Sequence, residues 1–205
     1  MPLIRKNSPE PSRPPPGSDL DALTSLTRGS NDQRWMAART LSDVEALGRA
    51  LSTESDGRVR EAIFNSLISV GGPGSVAAIL PYLRADDAGL RTGALDALKA
   101  MPAEAAPRLA ELLADTDPDV RLLACEVVRE LPSAQATPLL CGLLEDEAEV
   151  NVCGAAIEAL AEIAGPEALP ALAHCAARFA HEPFLMFAIT TATSRLGFAP
   201  TDKRV

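Results

Sequence analysis

Aromatic residues are scarce in this chain of 205 residues, which contains one Trp, one Tyr and five Phe. Runs of β-branched residues are also rare, and Ala and Leu make up most of the hydrophobic 47%. Aromatic and β-branched side chains are the ones enriched in strands, whereas Ala and Leu lose little rotamer freedom in a helix. The composition therefore predicts an all-α protein.

The chain also lacks the features of exported and membrane-spanning proteins. Its first residues, MPLIRKNSPEPSRPPPG, include no apolar segment of the kind found in a secretory signal. No stretch approaches the roughly 20 apolar residues that cross a bilayer. The four cysteines form no C-x-x-C pair. We therefore expect a cytoplasmic protein with reduced thiols and no membrane partner.

Positive charge is scarce outside the two ends of the chain. The formal net charge is −9, although residues 1–18 carry +2 and residues 201–205 carry +1. An acidic body repels the phosphates of nucleic acids, so the charge predicts that nucleic acid is not a partner. The prolines within residues 1–18 favour extended backbone, and we expect a disordered Pro-rich tail there and a short C-terminal tail at residues 199–205.

Between these tails, residues 19–198 repeat with a period of about 30 residues, which is typical of a solenoid. Each copy has two helical halves, and an Asp at the turn between them is placed to cap the second helix. The first apolar positions of the second helices lie 30 to 32 residues apart: Val59, Leu90, Val120, Val152 and Phe184. A less regular copy begins earlier, with Gln33 in the equivalent position.

The D-x-x-V-R pattern at Asp56/Val59/Arg60 and Asp117/Val120/Arg121 resembles bacterial HEAT-like repeats, including those of phycobilisome lyase subunits. The resemblance implies a right-handed α-α superhelix of about six antiparallel helix pairs, with the second helices on the concave face. It also implies that Asp and Arg side chains of adjacent repeats pair along the stack: Asp56, Arg60, Asp87, Arg91, Asp117 and Arg121. Cys153 and Leu185 interrupt this arginine series.

The binding surface predicted by this arrangement lies two and six residues beyond each first apolar position. We call these positions the predicted stripe: Glu61, Asn65, Thr92, Asp96, Leu122, Glu126, Gly154 and Glu158, with Trp35 and Arg39 in the first copy and Met186 and Thr190 in the last. An acidic concave groove would accept a basic or amphipathic segment of another protein, and Trp35 would be an anchor. The alternative is a solvated polar face, with Trp35 packed into the N-terminal cap.

Residue types that support catalysis or metal binding are few. The two histidines, His174 and His181, lie near the C-terminus, and Glu182 adjoins His181, but their spacing matches no compact metal motif. Cys153 stands in a helix's first turn, where we expect partial exposure, and a packing role is favoured over a reactive one. No nucleophile motif, phosphate-binding loop or dinucleotide fingerprint is present. We therefore expect no catalytic residues, no metal and no cofactor.

The sequence thus predicts a protein-binding adaptor, scaffold or regulatory subunit, acting as a monomer or weak dimer rather than as an enzyme. Two alternatives remain open. The resemblance to lyase subunits allows a non-catalytic accessory role in attaching a tetrapyrrole (bilin) chromophore, for which an aromatic or Cys/His wall would be needed. HEAT-like DNA-binding and repair proteins offer the second alternative, which the acidic charge disfavours.

Overall fold

The computed structural model describes residues 18–197, which form twelve α-helices, two short 3-10 helices and no β-strand. The predicted all-α fold class is therefore confirmed. The predicted tails, residues 1–18 and 199–205, lie outside the described residues apart from Ser18, which begins the first helix. The described chain divides into two compact units, one ending at Ser66 and the other beginning at Leu67.

First and second helices alternate along the chain. The first helices are α1 (Ser18–Arg28), α3 (Val44–Leu51), α5 (Gly72–Ile79), α7 (Pro102–Leu113), α9 (Ser133–Asp146) and α11 (Leu169–Arg178). The second helices are α2 (Asn31–Thr40), α4 (Gly57–Val70), α6 (Ala88–Ala100), α8 (Pro118–Val128), α10 (Val150–Ile163) and α12 (Pro183–Gly197). The 3-10 helices, Leu80–Arg84 and Pro166–Ala168, follow α5 and precede α11.

The first unit comprises α1 to α3 and most of α4. Its helices begin where side chains satisfy free main-chain amides: Ser30 and Gln33 form a reciprocal capping box at α2, and Asp43 caps α3. Leu47, Leu51 and Ile63 are among its fully buried side chains. The Oγ of buried Ser66 donates a hydrogen bond of 2.6 Å to the main-chain oxygen of Ala38, which the last turn of α2 leaves without a helical partner.

In the second unit, each second helix packs against the next, α6 on α8, α8 on α10 and α10 on α12. Ala94, Ala124 and Ala156 occupy the same helical position in three of these helices and are all fully buried. Alanine at this position lets neighbouring helices approach closely, because it adds little volume between them. Larger side chains such as Leu109, Leu140 and Leu144 fill the core beneath the first helices.

The expected N-caps occur at the second helices. The carboxylate of Asp117 accepts a hydrogen bond from the amide of Asp119, and Asp87 accepts one from Leu90. The arginine four residues beyond each cap folds back over the preceding loop. Arg91 donates to the main-chain oxygen of Ala85 at 2.6 Å, and Arg121 donates to that of Asp115 at 2.8 Å.

Two ion pairs between successive second helices use a glutamate where the resemblance implies an aspartate. Arg121 forms a two-pronged ion pair with Glu147, which lies two residues before the cap position of α10, with distances of 2.6 and 2.8 Å. In the first unit, Arg34 pairs in the same way with Glu54, two residues before the cap of α4. In both pairs the glutamate lies in the turn that leads into the next second helix, where its carboxylate reaches the guanidinium of the previous second helix.

In the repeat formed by α9 and α10, Cys153 stands where the ladder arginine would be, and an arginine from α11 makes the missing contacts. The Cys153 thiol donates to the main-chain oxygen of Glu147 at 3.5 Å, the acceptor that a ladder arginine would have used. Arg178, in the last turn of α11, donates to that same oxygen and to the oxygens of Leu144 and Glu145 at the end of α9. One guanidinium therefore satisfies the carbonyls that end α9 and precede α10.

The predicted first apolar position of the last repeat was wrong by one residue. Phe184 is 72% exposed, whereas Leu185 is fully buried and takes the place of Val152 in the previous repeat. Met186, rather than Leu185, consequently replaces the ladder arginine. The stripe positions in α12 are Phe187 and Thr191 instead of Met186 and Thr190. The shift arises because Val152 and Leu185 are 33 residues apart, whereas the earlier first apolar positions are 30 to 32 residues apart.

The outer row of α12 is polar. Ile157 and Leu160 in α10, and Cys125 and Val128 in α8, are buried at the two positions that face the next second helix. The equivalent residues of α12 are Thr190 and Thr193, which are exposed. A polar outer face is characteristic of a capping repeat, because an apolar one would be left open to water. From Ser18 to Gly197, no helix is both long enough and apolar enough to cross a membrane.

Candidate partner-binding groove

Helices α8, α10 and α12 border an open groove of about 640 Å³ in the second unit. We call it the C-terminal groove. Four members of the predicted stripe line it: Leu122, Glu126, Gly154 and Glu158. The spacing of two and six residues beyond the first apolar position therefore does bring side chains of successive helices together on one surface.

Two phenylalanines that were not members of the predicted stripe also line the groove. Phe184 and Phe187 are each 72% exposed, although both line the groove. The fold does not require aromatic residues here, since Asn151 and Gly154 hold the same positions in α10. The error of one residue in the α12 alignment concealed them. Placing the buried Leu185, Ile189, Ala192 and Leu196 on one helical stripe would have revealed the correct alignment.

Gly154 leaves space in the groove wall. A Cβ atom built on this residue meets no other atom within 4 Å, so helix packing does not demand glycine there. Glycine is also unfavourable inside a helix by about 1 kcal/mol relative to alanine. The space above Gly154 is thus a property of the groove and not a requirement of the core beneath it.

The groove is less acidic than the predicted stripe suggested. Glu126 lies 2.9 Å from a guanidinium nitrogen of Arg129 and 3.8 Å from the ammonium of Lys99. Arg129 is also 3.5 Å from Glu162, so cations on α6 and α8 neutralise two of the groove's carboxylates. Among the described residues, Glu158 and Arg195 are the groove's charged side chains without an ion-pair partner. Sequence reasoning missed the neutralising cations because they lie on a different row of each helix.

The remaining stripe residues lie outside this groove. Thr92 and Asp96 are exposed on α6, and Glu61 and Asn65 are exposed on α4 in the first unit. Trp35 is half-buried on α2, and the guanidinium carbons of Arg39 and Arg58 lie 4.5 and 4.3 Å from the centre of its ring. The indole is thus occupied by two cations, an arrangement that the sequence did not predict.

The expectation that Cys153 is partly exposed was wrong. Its side chain is fully buried, because Arg178 takes over the surface role of the missing ladder arginine. Burial raises the pKa of the Cys153 thiol to about 12, and burial raises that of Cys125 to the same value. A thiol acts as a nucleophile or metal ligand only as the thiolate, so neither side chain is prepared for such chemistry.

The histidines do not gather other ligands around them. His174 lies on α11, and His181 with Glu182 lies in the turn before α12, and all three are exposed. Within residues 18–197, no three His, Cys, Asp or Glu side chains come together in a way that could hold a metal ion.

Comparison with known proteins identifies the repeat type. Residues 105–182 match the family profile of HEAT repeats, whereas no curated protein matches the chain significantly. Over 88% of this chain and 87% of its own, the structure of an archaeal HEAT-like repeats protein from Thermococcus onnurineus NA1 is similar, with a TM-score of 0.50 and 11% identity. At this identity the likeness bears on the fold alone, and with the family match it confirms the resemblance to HEAT repeats.

Two further solved structures resemble the chain less closely in space. The complex of CpcE and CpcF of phycocyanin lyase from Nostoc sp. PCC7120 matches 95% of this chain and 100% of its own, with 18% identity and a TM-score of 0.43. A designed armadillo repeat protein in complex with the peptide (KR)4 matches 86% of this chain and 91% of its own, also with 18% identity and a TM-score of 0.43.

Proposed function

We propose that this chain, of which residues 105–182 match HEAT repeats, is a non-catalytic scaffold that binds an amphipathic helix of a partner protein in its C-terminal groove. The observation that carries the proposal is the exposure of Phe184 and Phe187 at an open groove, where the fold itself needs neither side chain. Exposed aromatic residues are costly to keep in water and are enriched in protein interfaces. A partner that covers them gains most of its binding energy from that burial.

The shape of the groove favours a helix as the occupant. An amphipathic helix docks through side chains spaced at three, four and seven residues, which follow a groove between parallel ridges. The open space above Gly154 accepts one large apolar side chain, next to the two phenylalanines.

The charges that line the groove determine which polar side chains the partner helix should carry. Glu158 is exposed and unpaired in the groove, so a Lys or Arg of the partner would meet it. Glu126 and Glu162 are already neutralised and contribute less attraction. We therefore expect a partner helix with one cation beside its apolar face, rather than a strongly basic segment.

The two alternative functions have less support. An accessory role in tetrapyrrole attachment would be favoured by an accessible Cys/His wall, but Cys125, Cys153 and Cys175 are buried and the histidines are exposed away from the groove. Binding of nucleic acid would be favoured by a basic face, and the groove carries Glu158 in the row that would face the phosphates.

Filling the space above Gly154 tests the proposal without weakening the fold. Gly154→Leu should hold or raise the thermal midpoint, because leucine favours the helix and an added Cβ meets no atom within 4 Å. It should weaken binding of a synthetic amphipathic Leu/Lys helix at least about tenfold, because the leucine occupies the partner's space. Thermal denaturation followed by circular dichroism measures the midpoint. Isothermal titration calorimetry with the peptide, and with a scrambled peptide of the same composition, measures the affinity.

Gly142→Leu is the matched control. Gly142 is likewise a glycine inside a helix whose added Cβ meets no atom within 4 Å, and it lies on α9 outside the groove. This variant should bind the peptide as the unaltered chain does. Equal affinity of the scrambled peptide, or equal affinities of the two glycine variants, would reject the groove as the binding site.

A further inference from the structure

The first unit has an arginine–tryptophan cluster formed by Trp35, Arg39 and Arg58. The guanidinium carbons of both arginines lie within 4.5 Å of the centre of the indole ring. Arg39 follows Trp35 by one turn on α2, and Arg58 comes from the first turn of α4. The two positively charged groups are thus held close to each other against the same half-buried indole ring.

The stacking orders both guanidinium groups without using their hydrogen-bond donors. A guanidinium that stacks on an aromatic ring presents its N–H groups around its own edge, where they match the two oxygens of a carboxylate. Ordering in advance also lowers the conformational entropy that a long, flexible side chain loses when it binds. The cluster is therefore prepared for bidentate recognition of oxyanions.

The protein's own carboxylates leave most of these donors unused. Arg58 is 3.0 Å from Asp32, but the two side chains are 58% and 84% exposed. An ion pair so open to water contributes little to stability, so a better-placed carboxylate can displace it. Among residues 18–197, Arg39 has no carboxylate within ion-pair distance.

We infer that the arginine–tryptophan cluster is a second binding site, which takes an acidic peptide segment carrying two carboxylates about one helical turn apart. Side chains three or four residues apart on a helix have Cβ atoms about 5 to 6 Å apart, which suits two arginines held on one ring. The ligand chemistry is opposite to that of the C-terminal groove, where Phe184, Phe187 and Glu158 select an apolar and cationic helix. The inference rests on the first unit alone and does not depend on the function proposed for the groove.

Trp35 is the chain's only tryptophan, so its fluorescence reports on this site directly. The probe is a helical alanine-rich peptide with glutamates at positions i and i+4, titrated into the full chain. We expect a saturable change in Trp35 emission that weakens as salt is added, because the contacts are charge-assisted and exposed to water. The same peptide with glutamines should produce no change.

Three arginine variants locate the binding. Arg39→Gln and Arg58→Gln should each weaken the peptide about fivefold, since each removes one exposed charge-assisted contact and retains the fluorescent reporter. Arg49→Gln is the matched control, because Arg49 is also exposed and paired with a carboxylate, Glu45, but lies on α3 away from Trp35. Its affinity for the peptide should be unchanged.

Several results would overturn the inference. Absence of a saturable response to the glutamate peptide would do so, and so would equal weakening by Arg49→Gln, which would indicate unspecific attraction. A response to a phosphoserine peptide without one to the glutamate peptide would assign the cluster to phosphate instead. Phe187→Ser should leave the titration unchanged, so the outcome here is separate from that of the groove experiment.

Discussion

Replacing either of two buried serines in the helical core with alanine should change stability in opposite directions, because only one of the serines has a hydrogen-bond partner. Within the described residues the Oγ of Ser75 is buried on α5 without a partner, whereas the Oγ of Ser66 donates to the main-chain oxygen of Ala38. A buried hydroxyl without a partner loses its hydration and gains nothing in return. Ser75→Ala should therefore raise the free energy of unfolding by about 1 kcal/mol.

Ser66→Ala is the paired substitution and should have the opposite sign. It leaves the carbonyl of Ala38, a fully buried residue, without its side-chain donor, which should cost about 1 kcal/mol even after the gain in helix propensity. Urea denaturation of the two variants measures both changes. A loss of stability in Ser75→Ala, or none in Ser66→Ala, would contradict this account of the two hydroxyls.

The ion pair of Arg121 on α8 with Glu147, which precedes α10, connects two helices, and its contribution to the free energy of unfolding can be measured. The side chains are 15% and 3% exposed. Burial by itself would raise the pKa of Glu147, but the Arg121 guanidinium and the amides of Ala148 and Glu149 hold that pKa below its usual value. Glu147→Gln should reduce the free energy of unfolding by about 2 kcal/mol at neutral pH, because a largely buried guanidinium loses its counter-charge.

The same pair predicts a pH dependence. Because the pKa of Glu147 is lowered by folding, its contribution is fully present above the unfolded value of about 4.5 and is lost as pH falls through the folded value. The difference between Glu147→Gln and the unaltered chain should therefore shrink below pH 4.5. Glu111→Gln, at a carboxylate 68% exposed beside Arg108, should change stability by less than about 0.5 kcal/mol at any pH. A constant difference for Glu147→Gln would refute the linkage.

The helices themselves could be predicted from the sequence, since the spacing of Val59, Leu90, Val120 and Val152 fixes the second helices and Asp87 and Asp117 mark where two of them begin. The period failed at Phe184, because the buried residue of the last repeat, Leu185, lies 33 residues after Val152 and a regular count of 32 places the wrong residue inside. Local patterns report on spacing within a helix, and they do not fix the number of residues between one second helix and the next.

Contacts between helices were harder to predict from the sequence. The neutralisation of Glu126 by Lys99 depends on which rows of α6 and α8 meet, and the burial of Cys153 depends on Arg178, which is distant in sequence. The two arginines on Trp35 come from α2 and α4. In each case at least one partner belongs to another helix, and a single sequence contains no signal that links the two helices.

At the scale of the whole molecule, the polar outer row of α12 should keep the protein from self-associating through this helix. Replacing Thr190 and Thr193 with the residues that α10 has there, as Thr190→Ile with Thr193→Leu, would create an apolar face shaped to accept another second helix. We expect concentration-dependent self-association, because this face is buried in the inner repeats and would now be open to water. Sedimentation velocity over a range of concentrations measures the change in mass.

Thr190→Ser with Thr193→Ser is the control, since it alters the same two positions and keeps them polar. It should sediment as the unaltered chain does. If the isoleucine–leucine variant also remained unchanged in mass at high concentration, the outer row of α12 would not be what limits stacking.

The way Arg178 compensates for Cys153 limits how this protein can be rebuilt from its parts. Repeat proteins are often treated as interchangeable modules, in which one unit can be exchanged for a consensus copy. Here the guanidinium that satisfies the loop before α10 belongs to α11, in the following repeat. A graft that transplanted α9 and α10 without α11 would leave the main-chain oxygens of Leu144, Glu145 and Glu147 without the Arg178 donor. A consensus arginine at position 153 would compete with Arg178 for the oxygen of Glu147. An engineer must therefore move these two repeats together, as one block about twice the length of the sequence period.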